Sequence, residues 1–325
     1  MAFSMKEAAL GAQQQYDEIF PLVYTADDEH GDQASAYAWL QQNRERLLES
    51  LSLHGAILLR GLPLRTDTDF DAAIQCFGRE NFTYAESLSN AVRRNRTERV
   101  FTANEAPASV SIFLHHEMAQ TPIFPAKLFF FCELEPHSGG ATPLCRSDIL
   151  LERLTQQAPE FVAACREKGV RYSNVMPAID DPESGQGRSW RSTLGTDSAS
   201  DAEAKLSKLG YTWQWLEQDS LRVTTGVLPA IRQATSGREV FFNQLIAAFR
   251  GWKDVRNSGE RAICFGDGAE IGTEAMAQAI GLGDELSFDI PWQTGDMALV
   301  DNFLVMHGRR PFEGQRRILA SLTAD

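Results

Sequence analysis

The chain has 325 residues, 43% of them hydrophobic, and its 31 Lys and Arg against 44 Asp and Glu give a formal net charge of −13. That is enough apolar material for a substantial core, and the average negative field repels both a nucleic-acid duplex and an anionic membrane. Five scattered cysteines without a CxxC pair, no basic-then-apolar leader and no apolar run of roughly 18 residues are the pattern expected of a cytoplasmic protein that does not enter a bilayer.

In chain order, residues 35–52 carry Trp39, Leu40, Leu47, Leu48 and Leu51 at helical spacing, and His54-Gly55 ends the helix before the buried strand AILLRG. A second helix is expected from Thr68 to Phe77, capped by Asp67 or Thr68. From about 108 onwards, runs rich in β-branched and aromatic residues predict strands: VSIFLHHE, AKLFFFCELE, YTWQWLE, SLRVTTGVL, REVFFNQ, ELSFDI, MALVDNFLVMH and RRILASLT. Helices are expected between them at Asp148–Gln156, Pro159–Lys168, Asp201–Leu209 and Thr273–Ile280. Residues 174–200 are long, polar and turn-rich, which predicts a lid over an active-site mouth. The whole reads as a single domain over 1–325, mainly β with helical insertions. Residues 1–100 give helical and strand support, and 108–325 form a double-stranded β-helix, the jelly-roll arrangement.

Six histidines occur, and two of the segments that carry them suggest a metal site. In Phe113-Leu114-His115-His116-Glu117 strand alternation projects His115 and Glu117 together and turns His116 away. The run from Met297 to His307 delivers another histidine near the end of a strand-like segment. Two imidazoles and a carboxylate on one face of an ion leave positions open, which suits non-haem Fe(II). Further along, Arg317 places a guanidinium on an apolar strand, where it needs an anion such as the distal carboxylate of 2-oxoglutarate. Arg316 alternates to the other face, as a solvated or structural charge. An HxE triplet occurs by chance, and a lone strand histidine is more often a core residue. The late histidine followed by a strand arginine reverses that balance.

With those pieces together, the chain resembles the taurine dioxygenase (TauD/TfdA) superfamily, and more closely its clavaminate synthase-like branch. The matching stretches are LHHEMAQTPIFPAKLFFFCELEPHSGGATPL, FFNQLIAAFRGW, CFGDG and PWQTGDMALVDNFLVMHGRRPFEGQRRILASL, with GAILLRGLPL as a looser match before them. The resemblance implies His115, Glu117 and His307 as ligands of Fe(II), with glutamate where most of the family has aspartate. It also implies Thr142 and Arg317 as contacts of 2-oxoglutarate. Related halogenases lack the carboxylate, so Glu117 argues against halogenation. Where the taurine enzymes carry a sulfonate-binding arginine four residues past the cosubstrate arginine, this chain has Ser321, so a small sulfonate is a poor expectation.

The implied reaction uses Fe(II), 2-oxoglutarate and O2 to hydroxylate an unactivated C–H bond. The expected substrate is a small amino-acid-like molecule, free or tethered to a carrier protein, in a natural-product pathway. Epoxidation or desaturation by the same cofactors is the alternative. A cupin-type metalloenzyme or a non-catalytic jelly-roll binding module is disfavoured by the intact ligand set. Candidate substrate contacts are Asn104, Asn243, Arg188 and Arg191, each of which serves equally well as a turn or surface group. Phe129, Phe131, Phe241 and Trp292 are candidate pocket aromatics or core.

Overall fold

The computed structural model describes residues 3–27, 31–83, 93–181, 183–184 and 187–324. Its first long element is the helix Gln33–His54, capped by Asp32, whose carboxylate accepts from the Ser35 backbone. The helix stops at Gly55, in a left-handed conformation (φ 83°) where a Cβ would lie 2.7 Å from the Val305 side chain. The next helix, Asp67–Gln75, is capped one residue earlier than expected, by Thr66, in a reciprocal box with Asp69.

Besides a four-stranded sheet that includes Val170–Met176 and Leu221–Thr224, two mostly antiparallel sheets position the site. The larger runs in the order Met5–Glu7, Leu22–Ala26, Ala56–Arg60, Met297–Asp301, Lys127–Leu134, Arg317–Thr323 and Phe101–Thr102, with a parallel pairing only between its second and third strands. The smaller runs Ser287–Ile290, Thr142–Arg146, Val305–Arg309 and Ile112–His115. Strand alternation divides the side chains between layers. Leu58, Leu128, Phe130, Val300 and Ala320 face inward with Leu144, Phe288 and Val305 of the smaller sheet. Leu59, Phe129, Phe131, Leu299 and Leu319 face outward against Leu40, Leu47 and Phe70 of the first two helices. Behind the smaller sheet, Leu114, Cys145 and Met306 pack on the helices Ser147–Gln157, Pro159–Lys168, Leu245–Gly251 and Thr273–Glu285. The chain is thus mainly β with helices, and among the described residues no helix is long and apolar enough to cross a membrane.

Three expectations are corrected. Met297 to His307 is two strands, Met297–Asp301 and Val305–Arg309, because the chain turns at 302–304 and passes from the larger sheet to the smaller. REVFFNQ contributes only the short strand Glu239–Val240 before a helix begins at Leu245. Residues 174–200 are not an open loop, since Asn174 to Met176 complete the strand Val170–Met176 and Trp190–Leu194 is a helical turn. Met176, Trp190 and Leu194 pack with Leu206 and Leu221 in a separate small core. Positions 182, 185 and 186 of the expected lid lie outside the described residues.

Phe131 is fully buried and stacks on Phe70 with ring centroids 5.3 Å apart. Phe131→Ala should cost about 3–5 kcal/mol of stability through lost burial and the cavity it leaves. A shift of the urea midpoint at unchanged m-value measures this; a loss below about 1 kcal/mol would mean that the layer collapses freely.

Candidate metal centre

Three side chains converge where the smaller sheet meets the turn after Ile112–His115. His115 closes that strand and lies directly opposite His307 of Val305–Arg309, their ring centroids 4.4 Å apart. Glu117 follows two residues on, its Oε2 lying 3.5 Å from His307 Nε2. The potential ligand atoms of the three lie within 4.8 Å of one another, and among the described residues no other group of His, Cys, Asp or Glu converges in this way. His115 Nδ1 donates to the Phe113 carbonyl at 2.8 Å, which fixes the tautomer and leaves Nε2 as the free lone pair. His116 points away, as alternation requires. It is fully buried against Phe242, with its Nδ1 donating to the Asn302 carbonyl.

Burial, aided by His307, pulls His115 down to about 4, and burial pulls His116 down to about 3. Both rings are therefore neutral near pH 7, the form in which an imidazole can ligate. For Glu117, burial opposes ionisation, but Arg93 and His307 outweigh it and hold the carboxyl well below the usual carboxylate range. Arg93 Nη2 lies 3.1 Å from both oxygens of Glu117.

Asn302 places Glu117 through its backbone. The fully buried Asn302 side chain accepts from the Glu117 N–H at 2.7 Å and donates to the Glu117 carbonyl at 3.0 Å and the Pro125 carbonyl at 2.8 Å. The next residue, Met118, is buried in the left-handed region (φ 60°), a conformation that persists because its surroundings enforce it. Asn302→Ala would leave three buried backbone groups without partners. It should cost about 3 kcal/mol or more of stability and weaken metal binding about 10-fold or more. Urea unfolding and Mn(II) titration of the same preparation read the two effects; an unchanged Mn(II) affinity would separate the clasp from the site.

The three side chains open into a cavity of about 150 Å³. Thr142, at the start of its strand, lines it, and its hydroxyl accepts from Trp292 Nε1 at 3.0 Å. Of the two adjacent arginines, Arg316 and not Arg317 is in the wall. Arg316 donates from Nε to the Gly140 carbonyl at 2.8 Å and reaches Thr142 Oγ1 from Nη2 at 3.4 Å. Burial, followed by neighbouring Arg309, lowers its pKa to about 10. No carboxylate among the described residues lies within ion-pair distance of it. Arg317 turns outward, its side chain 52% exposed and paired with Glu133 at 2.8 Å.

Alternation along Arg317–Thr323 turns Arg317 outward, and the neighbouring strand carries a bulge beside it. Arg317 lies opposite Leu134 and Ile318 opposite Cys132, so Glu133 is an extra residue on the neighbouring strand. Ile318, Ala320 and Leu322 face inward with Arg316, and Leu319 faces outward with Arg317. The position four residues past the inward arginine is consequently Ala320 rather than Ser321, and it too is not an arginine.

Of the candidate substrate contacts, Asn104 lines the cavity. Asn243 does not, being fully buried with its amide bonded to the Ala230 carbonyl and the Leu245 N–H, just before the helix Leu245–Gly251. Its neighbour Gln244 lines the cavity instead and donates to the His116 carbonyl at 3.0 Å. Arg188 bonds Ser192, and Arg191 pairs with Asp219 and the Ala178 carbonyl, so both belong to the local fold of their segment. No described residue of 174–200 is among those lining the main cavity; Asn174 and Met176 line a second one of about 30 Å³. The aromatic wall is Phe113, Phe130 and Trp252, since Phe129 and Phe131 alternate to the outer layer, Phe241 packs among the helices and Trp292 sits in the core between the sheets.

Sequence reasoning missed Arg93, Asn302, Gln244 and Arg309. A signal existed for two of them. Asn302 interrupts an apolar run, and Arg309 lies two residues past His307 and so on its face. Arg309 spends its guanidinium on four carbonyls, of Asn104, Ala106, Pro107 and Val110, at 2.7–3.1 Å, and so fastens that wall of the cavity.

Comparison with known proteins gives concordant matches. The family model described as taurine catabolism dioxygenase TauD, TfdA family matches residues 18–323. A clavaminate synthase-like protein of Arabidopsis thaliana is 41% identical over 284 residues, 86% of this chain and 85% of that protein. The dapdiamide synthesis protein DdaC of Enterobacter agglomerans is 30% identical over 291 residues, 84% of this chain and 83% of that one. Among solved structures, a taurine dioxygenase from Burkholderia xenovorans superposes with a TM-score of 0.54 at 13% identity, covering 99% of this chain and 90% of its own.

Proposed function

The chain belongs to the TauD, TfdA family of Fe(II)- and 2-oxoglutarate-dependent dioxygenases, and we propose that it hydroxylates an unactivated C–H bond of an amino-acid-like molecule. In this reading His115, Glu117 and His307 hold the iron, and Thr142 with Arg316 hold 2-oxoglutarate. The observation that carries it is the convergence of two imidazoles and one ionised carboxylate within 4.8 Å, beside a partly buried guanidinium that meets no acid among the described residues. A divalent cation answers the first need and a dicarboxylate the second, so the residues present fit both groups.

Once bound, Fe(II) and 2-oxoglutarate supply a strong oxidant from O2 as the oxo acid is converted to succinate and carbon dioxide. The protein's own part is positioning. The Phe113 carbonyl holds the His115 ring, Asn302 holds the Glu117 backbone, and Arg316 with Thr142 presents donors to a distal carboxylate. Phe130 and Ile318 give the cavity an apolar wall that excludes water from the target carbon. We read the two facing sheets as a double-stranded β-helix within one domain, with the ligands at its mouth. The relative named for dapdiamide synthesis supports a natural-product substrate, either free or carrier-tethered.

The test is an anaerobic titration of purified protein with Fe(II) and 2-oxoglutarate, watching for the weak visible metal-to-ligand charge-transfer band. Its appearance supports the site and opens a screen of amino acids and carrier-bound aminoacyl groups for substrate-dependent succinate formation. A folded protein that gives no band with both ligands in excess removes this assignment of residues.

A further inference from the structure

Arg93 reaches the centre from outside the two strands that carry the histidines. The backbone of Arg94 is pinned to the edge strand Phe101–Thr102, accepting from the Thr102 N–H at 2.9 Å and donating to Thr102 Oγ1 at 3.0 Å. This delivers the Arg93 side chain, only 12% exposed, over the Phe101 ring at 5.2 Å and onto both oxygens of Glu117 at 3.1 Å. A surface arginine needs none of this support.

We propose that Arg93 is the positioning residue of the Glu117 carboxylate, setting its orientation for the metal. The inference rests on the reading of Glu117 as a ligand. Glutamate has one more rotatable bond than aspartate, so its carboxylate loses more freedom when a metal fixes it. A carboxylate offers about four acceptor positions and a metal takes one, which leaves room for a charge-assisted bond to a guanidinium. Asn302 holds the backbone of Glu117 and Arg93 holds its far end, so the intervening torsions are bounded at both ends. Outer partners of this kind typically change metal affinity about 10- to 100-fold.

The experiment is a Co(II) titration of the full chain, reading dissociation constant and visible d–d spectrum, for wild type, Arg93→Gln, Arg93→Lys, Glu117→Ala and the double variant Arg93→Gln/Glu117→Ala. Thermal melts confirm that each is folded, and Arg93→Lys keeps the charge if the glutamine variant is not. The expected result is a roughly 10- to 100-fold weaker affinity in Arg93→Gln with an altered spectrum, partial recovery in Arg93→Lys, and no further loss from Arg93→Gln once Glu117 is alanine. Unchanged or tighter binding in Arg93→Gln overturns the proposal. So does an equal loss in both backgrounds, which would mean that Arg93 merely supports the wall. If Glu117→Ala itself leaves Co(II) affinity intact, the ligand reading fails instead, and the two failures are distinguishable.

Discussion

Replacement of His307 by alanine is expected to eliminate turnover of 2-oxoglutarate and to weaken divalent-metal binding by more than about 100-fold, beyond what loss of an outer partner produces. Its ring faces His115 at 4.4 Å and Glu117 Oε2 at 3.5 Å, so its removal takes away one donor and leaves the other two on one side of the ion. The backbone should tolerate the change. Val305–Arg309 pairs on both sides, with Thr142–Arg146 and Ile112–His115, and that ladder does not involve the ring. The variant should therefore melt near the wild-type temperature in the presence of chelator, while the stabilisation that Fe(II) or Mn(II) gives the wild type disappears, as mass action requires. His116→Ala is the control. That ring is turned away from the centre and packs on Phe242, so the change should lower stability and leave metal affinity within a few-fold. Should His307→Ala bind Mn(II) as tightly as wild type, the triad is not the metal site.

The second large effect separates two adjacent arginines. Arg316→Met should weaken 2-oxoglutarate binding by about 2–5 kcal/mol, roughly 30-fold or more, because truncation leaves the cosubstrate's distal carboxylate without its cationic partner in a confined wall. Arg317→Met removes an exposed pair with Glu133 and should change the same affinity by no more than about 1 kcal/mol. Titrating the charge-transfer band with 2-oxoglutarate at saturating Fe(II) reads both. A larger loss in Arg317→Met would reverse the assignment and require the end of Arg317–Thr323 to adopt the other register in solution.

The contrast between these arginines shows where sequence reasoning stops. A strand has a period of two, so a miscount of one residue exchanges its faces. The rule that separates His115 and Glu117 from His116 works because it acts over three consecutive residues. Between His307 and the arginines the chain turns and passes from the smaller sheet to the larger, so alternation cannot be counted from the histidine to QRRILASL. The same limit explains the aromatic wall. The run FFF at 129–131 identifies a buried strand, but only the packing of Phe70 and the first helices on one side shows that Phe130 is the member facing the cavity.

By itself the sequence determined the chemistry on offer and most of the local frame. Six histidines in 325 residues make the spacing of His115, Glu117 and His307 informative, and metal ligation accepts few residue types. Helical spacing of leucines with a terminal glycine, and strand alternation of β-branched and aromatic residues, act between near neighbours, and they marked the helix Gln33–His54 and the strands Ala56–Arg60 and Lys127–Leu134. Only the tertiary structure decided which side chains surround that chemistry. Arg93 lies 24 residues and Asn302 185 residues from Glu117, and Met176, Trp190 and Leu194 of the polar segment expected as a lid pack with Leu206 and Leu221 in a small core. Contacts at such separations depend on how the sheets stack and in which register. Those are properties of the whole assembly of strands, and no short stretch of residues carries them.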